Sequence, residues 1–349
     1  MPHITRPEIV LPEHWVSTDD LIEHFSATYA GHPRLQKALD VMRATTVRGR
    51  RFSRPLTELT DADHPTDLRL QRHFEDSCHL AEEAARRAVK NCGLDLDDID
   101  TLVCASITGY AMPGLDTYLV NSLPLPPTVR RLPVTQMGCN GGAYSLARAA
   151  EQCTSPGHNA LVVGADLPMH YVHPDDTGMD VMIFRALVGD AAGACVVRGH
   201  DTLPGLRIDQ SWDYVQPETA AIVGSRVRQD GMHLFNSPQL YDALRDILHE
   251  LTGWLEKTSP TGTDPRPEFL VGHTGGPKIM ETLFDALGLD PSLAHISRQS
   301  LQELGNAGAV SILDVLARTY DSPPPAGAHG LSIGVGPGLS VTASRLRWQ

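Results

Sequence analysis

The chain has 349 residues, 41% of them hydrophobic, enough for one large or two medium-sized cores. A formal net charge of −13 argues against nucleic acid or an anionic membrane as the main partner, and leaves phosphate-bearing small molecules to local lysines and arginines. No apolar run is long enough to span a bilayer, residues 1–8 lack a signal-peptide core, and six cysteines without paired spacing point to a reducing cytoplasm. The 16 histidines are scattered and form no CxxC or HExxH pattern, so no metal site is expected.

Residues 69–92 read as a helix: Leu70, Phe74, Cys78, Ala81, Ala85 and Val89 recur at helical spacing, and Cys92-Gly93 supplies a stop. A buried strand over 100–108 follows, broken by Gly109 and Met112-Pro-Gly114. Strand and helix alternate again over 132–152. A strand at 159–165, a polar loop around His173-Pro-Asp-Asp-Thr177 and a strand at 191–197 close the first half. The second half reuses the scheme with a helix at 238–256, a Pro/Thr-rich linker at 257–267 and a strand at 268–272. Helices at 277–287 and 307–319 and a strand at 330–334 complete it. Residues 321–325, with three consecutive prolines, read as a surface loop. The pattern is α/β in two similar halves, residues 1–200 and 201–349; no short repeat is visible, so the duplication is structural.

Three polar residues stand out because glycines crowd them at element ends. In Gln136-Met-Gly-Cys139-Asn-Gly-Gly142 a short extended segment runs into a cysteine, and Ala143, Leu146, Ala147 and Ala150 then mark one face of a helix. A thiol at such a strand-to-helix turn lies near free helix N–H groups, which favour the thiolate and lower its pKa. Cys139 therefore reads as a nucleophile, whereas Cys78, Cys92, Cys104, Cys153 and Cys195 read as small core residues. The strand ending in His273-Thr-Gly-Gly-Pro-Lys278 and the segment Gly305-Asn306-Ala-Gly308 place a histidine and an asparagine at two further element ends.

With Cys139, His273 and Asn306 in that order, the chain resembles the type III polyketide synthases, the chalcone-synthase-like branch of the thiolase superfamily. The resemblance covers nearly the whole length. It rests on the cysteine motif, His273-Thr-Gly-Gly-Pro, Gly305-Asn-Ala-Gly-Ala, Gly334-Val-Gly336-Pro337-Gly338 and Thr108-Gly-Tyr-Ala-Met112-Pro-Gly114. It implies a five-layered αβαβα fold and an obligate homodimer in which Met112 crosses into the partner's cavity. It also implies repeated decarboxylative Claisen condensation of coenzyme A thioesters, with no metal or redox cofactor. Cys139 would carry the acyl group; His273 would stabilise its thiolate as an ion pair; His273 and Asn306 would donate to the enolate oxygen formed when malonyl-CoA loses CO₂. Met112, Tyr171, Val188, Leu234, Gly308, Gly336 and Pro337 would shape the substrate cavity.

Two departures qualify the resemblance. Val188, in Ala186-Leu-Val-Gly-Asp190, stands where the family usually keeps a phenylalanine gate, and either Phe184 or Phe235 could fill the space; the second family phenylalanine falls at Met232 or Leu234. A smaller gate leaves room for a bulky starter and implies few extensions, ending in a pyrone or small aromatic product. Coenzyme A phosphates call for cations at the tunnel mouth, where Lys37 and Lys278 match family positions and Arg48, Arg50 and Arg51 form a basic cluster. The alternative is a β-ketoacyl-acyl-carrier-protein synthase III type of condensing enzyme, which shares Cys-His-Asn. A papain-like protease would carry its cysteine near the N-terminus, and a non-enzymatic binding module would show no selective thiol reactivity.

Overall fold

The computed structural model describes residues 1–199, 204–228, 231–259 and 264–349. Ten of its strands join into one large mixed sheet built twice on a similar plan. In the first half Arg130–Val134, Thr101–Ala105 and Asn159–Asp166 run parallel; Ala191–Gly199 and then Pro2–Ile4 add antiparallel. In the second half Phe269–Gly272 and His329–Gly336 run parallel, and Ser340–Trp348 and Leu206–Val215 add antiparallel. The two halves join where Pro2–Ile4 pairs with Leu206–Val215. Each half sets parallel strands, three in the first and two in the second, beside two antiparallel ones, so the halves share a similar topology.

Two central helices, Gly141–Gln152 and Val310–Asp321, pack against strands of both halves. Leu146, Ala149, Ile312, Leu313 and Leu316 share one core with Val103, Val162 and Val271, and each buried leucine contributes about 1.5–3 kcal/mol. Thr66–Asn91 and Leu115–Ser122 cover the outer face of the first half, and Leu240–Thr258 and Pro277–Leu287 that of the second. The result is the five-layered αβαβα arrangement. Small residues set its spacing. A side chain on Gly142 would run into Ile312 and the Ala309 carbonyl, so the central helices meet almost backbone to backbone. Ala81, Ala84, Ala85 and Ala88 do the same for the long outer helix.

The long helix begins three residues before the predicted start, because Pro65 and Thr66 open it with a polar first turn. The strand expected over 100–108 stops at Ala105. Beyond it the Ile107 N–H and the Thr108 hydroxyl turn to the buried Asp166 carboxylate instead of a strand neighbour. Strands Leu206–Val215 and Ser340–Trp348, the hairpin Val223–Arg228 with Gly231–Asn236, and helices Thr18–Thr28 and Leu35–Ala44 were not foreseen. Of the 257–267 linker, Lys257 and Thr258 belong to the preceding helix, while 260–263 lie outside the described residues. No helix among the described residues is long and apolar enough to cross a membrane.

Candidate active site

Cys139 sits in a single 3₁₀ turn, Gly138–Asn140, between the strand Arg130–Val134 and the helix Gly141–Gln152. Gln136 and Gly138 both adopt left-handed backbone conformations to make the reversal, with φ of 59° and 56°. The C-terminal half holds the turn down. Asn140 donates to Thr342 Oγ1 at 3.1 Å and accepts from the Thr342 N–H at 3.2 Å. Pro337 packs on the bare Cα of Gly138, and Gly336 lies against the Met137 carbonyl and the Asn140 side chain. Gly336 and Pro337, expected to shape the cavity, thus brace the turn that carries Cys139.

Asn306 meets Cys139 directly. Its Oδ1 accepts from the Gly308 N–H at 3.0 Å, the Ser311 hydroxyl at 3.3 Å and the Cys139 thiol at 3.7 Å, while its Nδ2 donates to Cys139 Sγ at 3.5 Å. Its backbone is fixed by Asn306 N–H to Leu187 O at 2.7 Å and Gly189 N–H to Asn306 O at 3.2 Å. His273 ends the strand Phe269–Gly272 and is buried. A Cβ on Gly275 would stand 2.5 Å from its Nε2, so glycine is required beside the imidazole. Gly276, at φ 120°, packs on the Leu187 side chain, and Leu187 also receives Asn306; the His273 and Asn306 turns therefore share one support.

Burial dominates the electrostatics. It pushes the Cys139 thiol up to about 11, against a smaller lowering by the Asn306 amide and with Asp166 adding to the rise. It pushes His273 down to about 4. The expected low-pKa thiolate and resting ion pair give way to a neutral thiol and a neutral imidazole, because desolvation outweighs the helix N-terminus. Cys139 still stands apart from its neighbours. Burial takes Cys78 and Cys153 to about 12 and raises Cys104 and Cys195 as well. All four are buried, whereas Cys139 and Cys92 are half-buried, so Cys92 is not the core residue it was expected to be.

The remaining expected positions scatter around this centre. Tyr171 donates or accepts at Ser225 Oγ, 2.7 Å away, tying the segment after Asp166 to the hairpin that carries Leu234 opposite Ser225. Tyr171, Tyr110, Leu70 and Met232 line a cavity of about 260 Å³. Val188 is only 1% exposed, packs with Leu21, Phe25, Met42 and Met182, and forms an isolated backbone bridge to Asn306. Phe184 joins that cluster, while Phe235 lies beneath the Arg226 guanidinium. Gly308, at φ 57°, lies against the Asp166 carboxylate. Met112 is 99% exposed. Lys37 is exposed; Lys278 holds its ammonium 3.9 Å from the Tyr241 ring. The basic cluster does not form a patch. Arg48 is exposed, but Arg50 is fully buried on Thr18 and Arg51 bonds the Glu13 carbonyl. Asp166, buried at the site and pushed up to about 7, was missed.

A cysteine on a glycine-braced turn between duplicated halves, with an asparagine donor on its sulfur and a histidine one loop away, defines a condensing enzyme of the thiolase-like fold. Comparison with known proteins narrows the class. The family model described as chalcone and stilbene synthases, N-terminal domain, matches residues 8–201, and its C-terminal counterpart matches 207–347. The chain belongs to this family of type III polyketide synthases, which sets aside the carrier-protein synthase alternative. It is 31% identical over 350 residues to a phloroglucinol synthase of Pseudomonas fluorescens, covering 100% of this chain and 99% of that protein. It is 31% identical over 356 residues to a 1,3,6,8-tetrahydroxynaphthalene synthase of Streptomyces griseus, covering 100% and 93%. Among solved structures, 1,3,6,8-tetrahydroxynaphthalene synthase from Streptomyces coelicolor superposes with a TM-score of 0.94 at 29% identity over 99% of both chains. Germicidin synthase from the same organism gives 0.91 at 26% identity over 100% of this chain and 99% of that one.

Proposed function

We propose that the protein loads an acyl group from coenzyme A onto Cys139 and extends it with malonyl-CoA units by decarboxylative Claisen condensation. His273 takes the thiol proton as the sulfur attacks the acyl carbonyl, and returns it to the departing coenzyme A sulfur. This order of events suits a resting pair that burial keeps uncharged. Malonyl-CoA then loses CO₂, and its thioester oxygen becomes an enolate oxygen that accepts from Asn306 Nδ2 and from His273. A preorganised donor of this kind is worth about 2.7–4 kcal/mol. The enolate carbon attacks the Cys139 thioester, the sulfur leaves, and the lengthened chain is a β-ketoacyl-CoA. The single observation that carries this reading is the direct contact of Asn306 with the sulfur: Gly308 N–H and the Ser311 hydroxyl hold its Oδ1, which also accepts from the resting thiol at 3.7 Å, and Nδ2 stands 3.5 Å from Cys139 Sγ.

The relatives are synthases of phloroglucinol and tetrahydroxynaphthalene, which supports a small aromatic or pyrone product after few extensions. Met112, fully exposed and next in the chain to the half-open Tyr110 segment, supports a homodimer in which it enters the partner's cavity. Lys37 and Lys278 are the proposed contacts for coenzyme A phosphates. The chemistry calls for no metal or redox cofactor, since thioester cleavage and CO₂ loss supply the driving force. Six cysteines without paired spacing support a cytoplasmic setting. Incubating the protein with a panel of acyl-CoAs and malonyl-CoA, without carrier protein, should release CO₂ and give products whose masses equal starter plus whole ketide units. Absence of CO₂ release across the panel would refute the proposal.

A further inference from the structure

We propose that Asp166 is a positioning residue for condensation: its carboxylate fastens the Asn306 turn to the segment after the Thr101–Ala105 strand, and so keeps the Asn306 amide aimed at Cys139 Sγ. The inference rests on the function proposed above. Asp166 ends the strand Asn159–Asp166 and is completely buried. One oxygen accepts from the Ile107 N–H at 2.7 Å and the Thr108 hydroxyl at 3.4 Å; the other accepts from the Ala309 N–H at 2.7 Å. Gly308 lies against the same carboxylate, with room for no side chain. The Gly308 N–H in turn bonds Asn306 Oδ1, the contact that turns Nδ2 toward the sulfur. A chain of contacts thus runs from Asp166 through the 308–309 backbone to the Asn306 amide.

The carboxylate is otherwise hard to account for. Among the described residues its partners are two backbone N–H groups and the Thr108 hydroxyl, with no cation, and a buried carboxylate without a cation is costly. Its charge also raises the thiol of Cys139, which by itself works against reactivity. The other titratable groups near it are Cys104 and Tyr171, both raised chiefly by burial and only slightly by its charge, and His73, which reaches it through Thr108 Oγ1 at 2.6 Å. A residue that is expensive and opposes the nucleophile, yet receives backbone N–H groups from two distant segments, has its use in fixing those segments.

Asp166→Asn tests this. The amide keeps the shape, but its Nδ2 must face either the Ile107 or the Ala309 N–H, two donors opposed. Malonyl-CoA decarboxylation should fall about tenfold, the effect of a small displacement of a donor. Acyl loading of Cys139, read by intact-protein mass, should fall far less. The pH profile of Cys139 alkylation by iodoacetamide should move to lower pH, because a negative charge beside the sulfur is gone. An unchanged ratio of decarboxylation to loading, or equal loss of both in a folded dimer, overturns the proposal. Should Asp166→Asn not fold, Gly308→Ala decides: it leaves Asp166 ionisable but forces the turn away from it, and the same split between the two steps is expected. Wild-type protein that fails to decarboxylate malonyl-CoA would overturn the proposed function itself, a distinguishable result.

Discussion

Replacing Asn306 by alanine should separate the two half-reactions. The structure gives Asn306 four contacts: Nδ2 donates to Cys139 Sγ, and Oδ1 accepts from the Cys139 thiol, the Gly308 N–H and the Ser311 hydroxyl. Losing Nδ2 removes one oxyanion donor, about 2.7–4 kcal/mol, or roughly a hundred- to thousandfold in malonyl-CoA decarboxylation. Losing Oδ1 leaves the buried Gly308 N–H and Ser311 hydroxyl without that acceptor, which costs about 1–3 kcal/mol of stability. A thermal melt reads that stability cost separately from the rates. Acyl loading depends chiefly on Cys139 and His273 and should drop by far less than decarboxylation. The assay is CO₂ release from malonyl-CoA alongside acyl-adduct formation by intact-protein mass spectrometry. Equal loss of both steps in a folded Asn306→Ala protein would refute the oxyanion role.

Other perturbations bear on the same site. Only the thiolate is alkylated, and the Cys139 thiol is pushed up to about 11, so its iodoacetamide rate should climb about tenfold per pH unit through neutral pH. A plateau below pH 7 would mean a resting thiolate–imidazolium pair instead. Val188→Phe adds a ring to a filled cluster and should cost about 1–3 kcal/mol in a denaturant titration; it should also shift starter preference toward smaller acyl groups or change the extension count. An unchanged product spectrum and starter ranking would remove Val188 from the gate. Gly142→Val should destabilise strongly in thermal melts, because its side chain would meet Ile312 and the Ala309 carbonyl.

The turns that carry Cys139, His273 and Asn306 were legible because glycine marks where the chain must turn tightly, and each of the three sits beside such a turn. The buried strands Thr101–Ala105, Asn159–Asp166 and Ala191–Gly199 were legible as continuous apolar runs. Leu206–Val215 and Ser340–Trp348 escaped because serine, arginine and aspartate interrupt them, and only their pairing with each other explains those residues. Asp166 escaped for a related reason. A lone aspartate after an apolar strand looks like a loop beginning, and its partners are backbone N–H groups 59 and 143 residues away. The charge states of Cys139 and His273 were misjudged because helix position is visible in sequence and depth of burial is not.

The central claim is that Cys139 carries the acyl chain and gives it up to an enolate formed in place. A pulse–chase followed by peptide mass spectrometry addresses it directly: the protein is loaded with one acyl-CoA, freed of excess, then given malonyl-CoA. The account predicts an acyl group on the peptide containing Cys139, absent from Cys139→Ala, which leaves the protein as a ketide-extended product while CO₂ appears. Label on Cys153, Cys104 or Cys92, or an acyl-Cys139 that malonyl-CoA does not discharge, would contradict it.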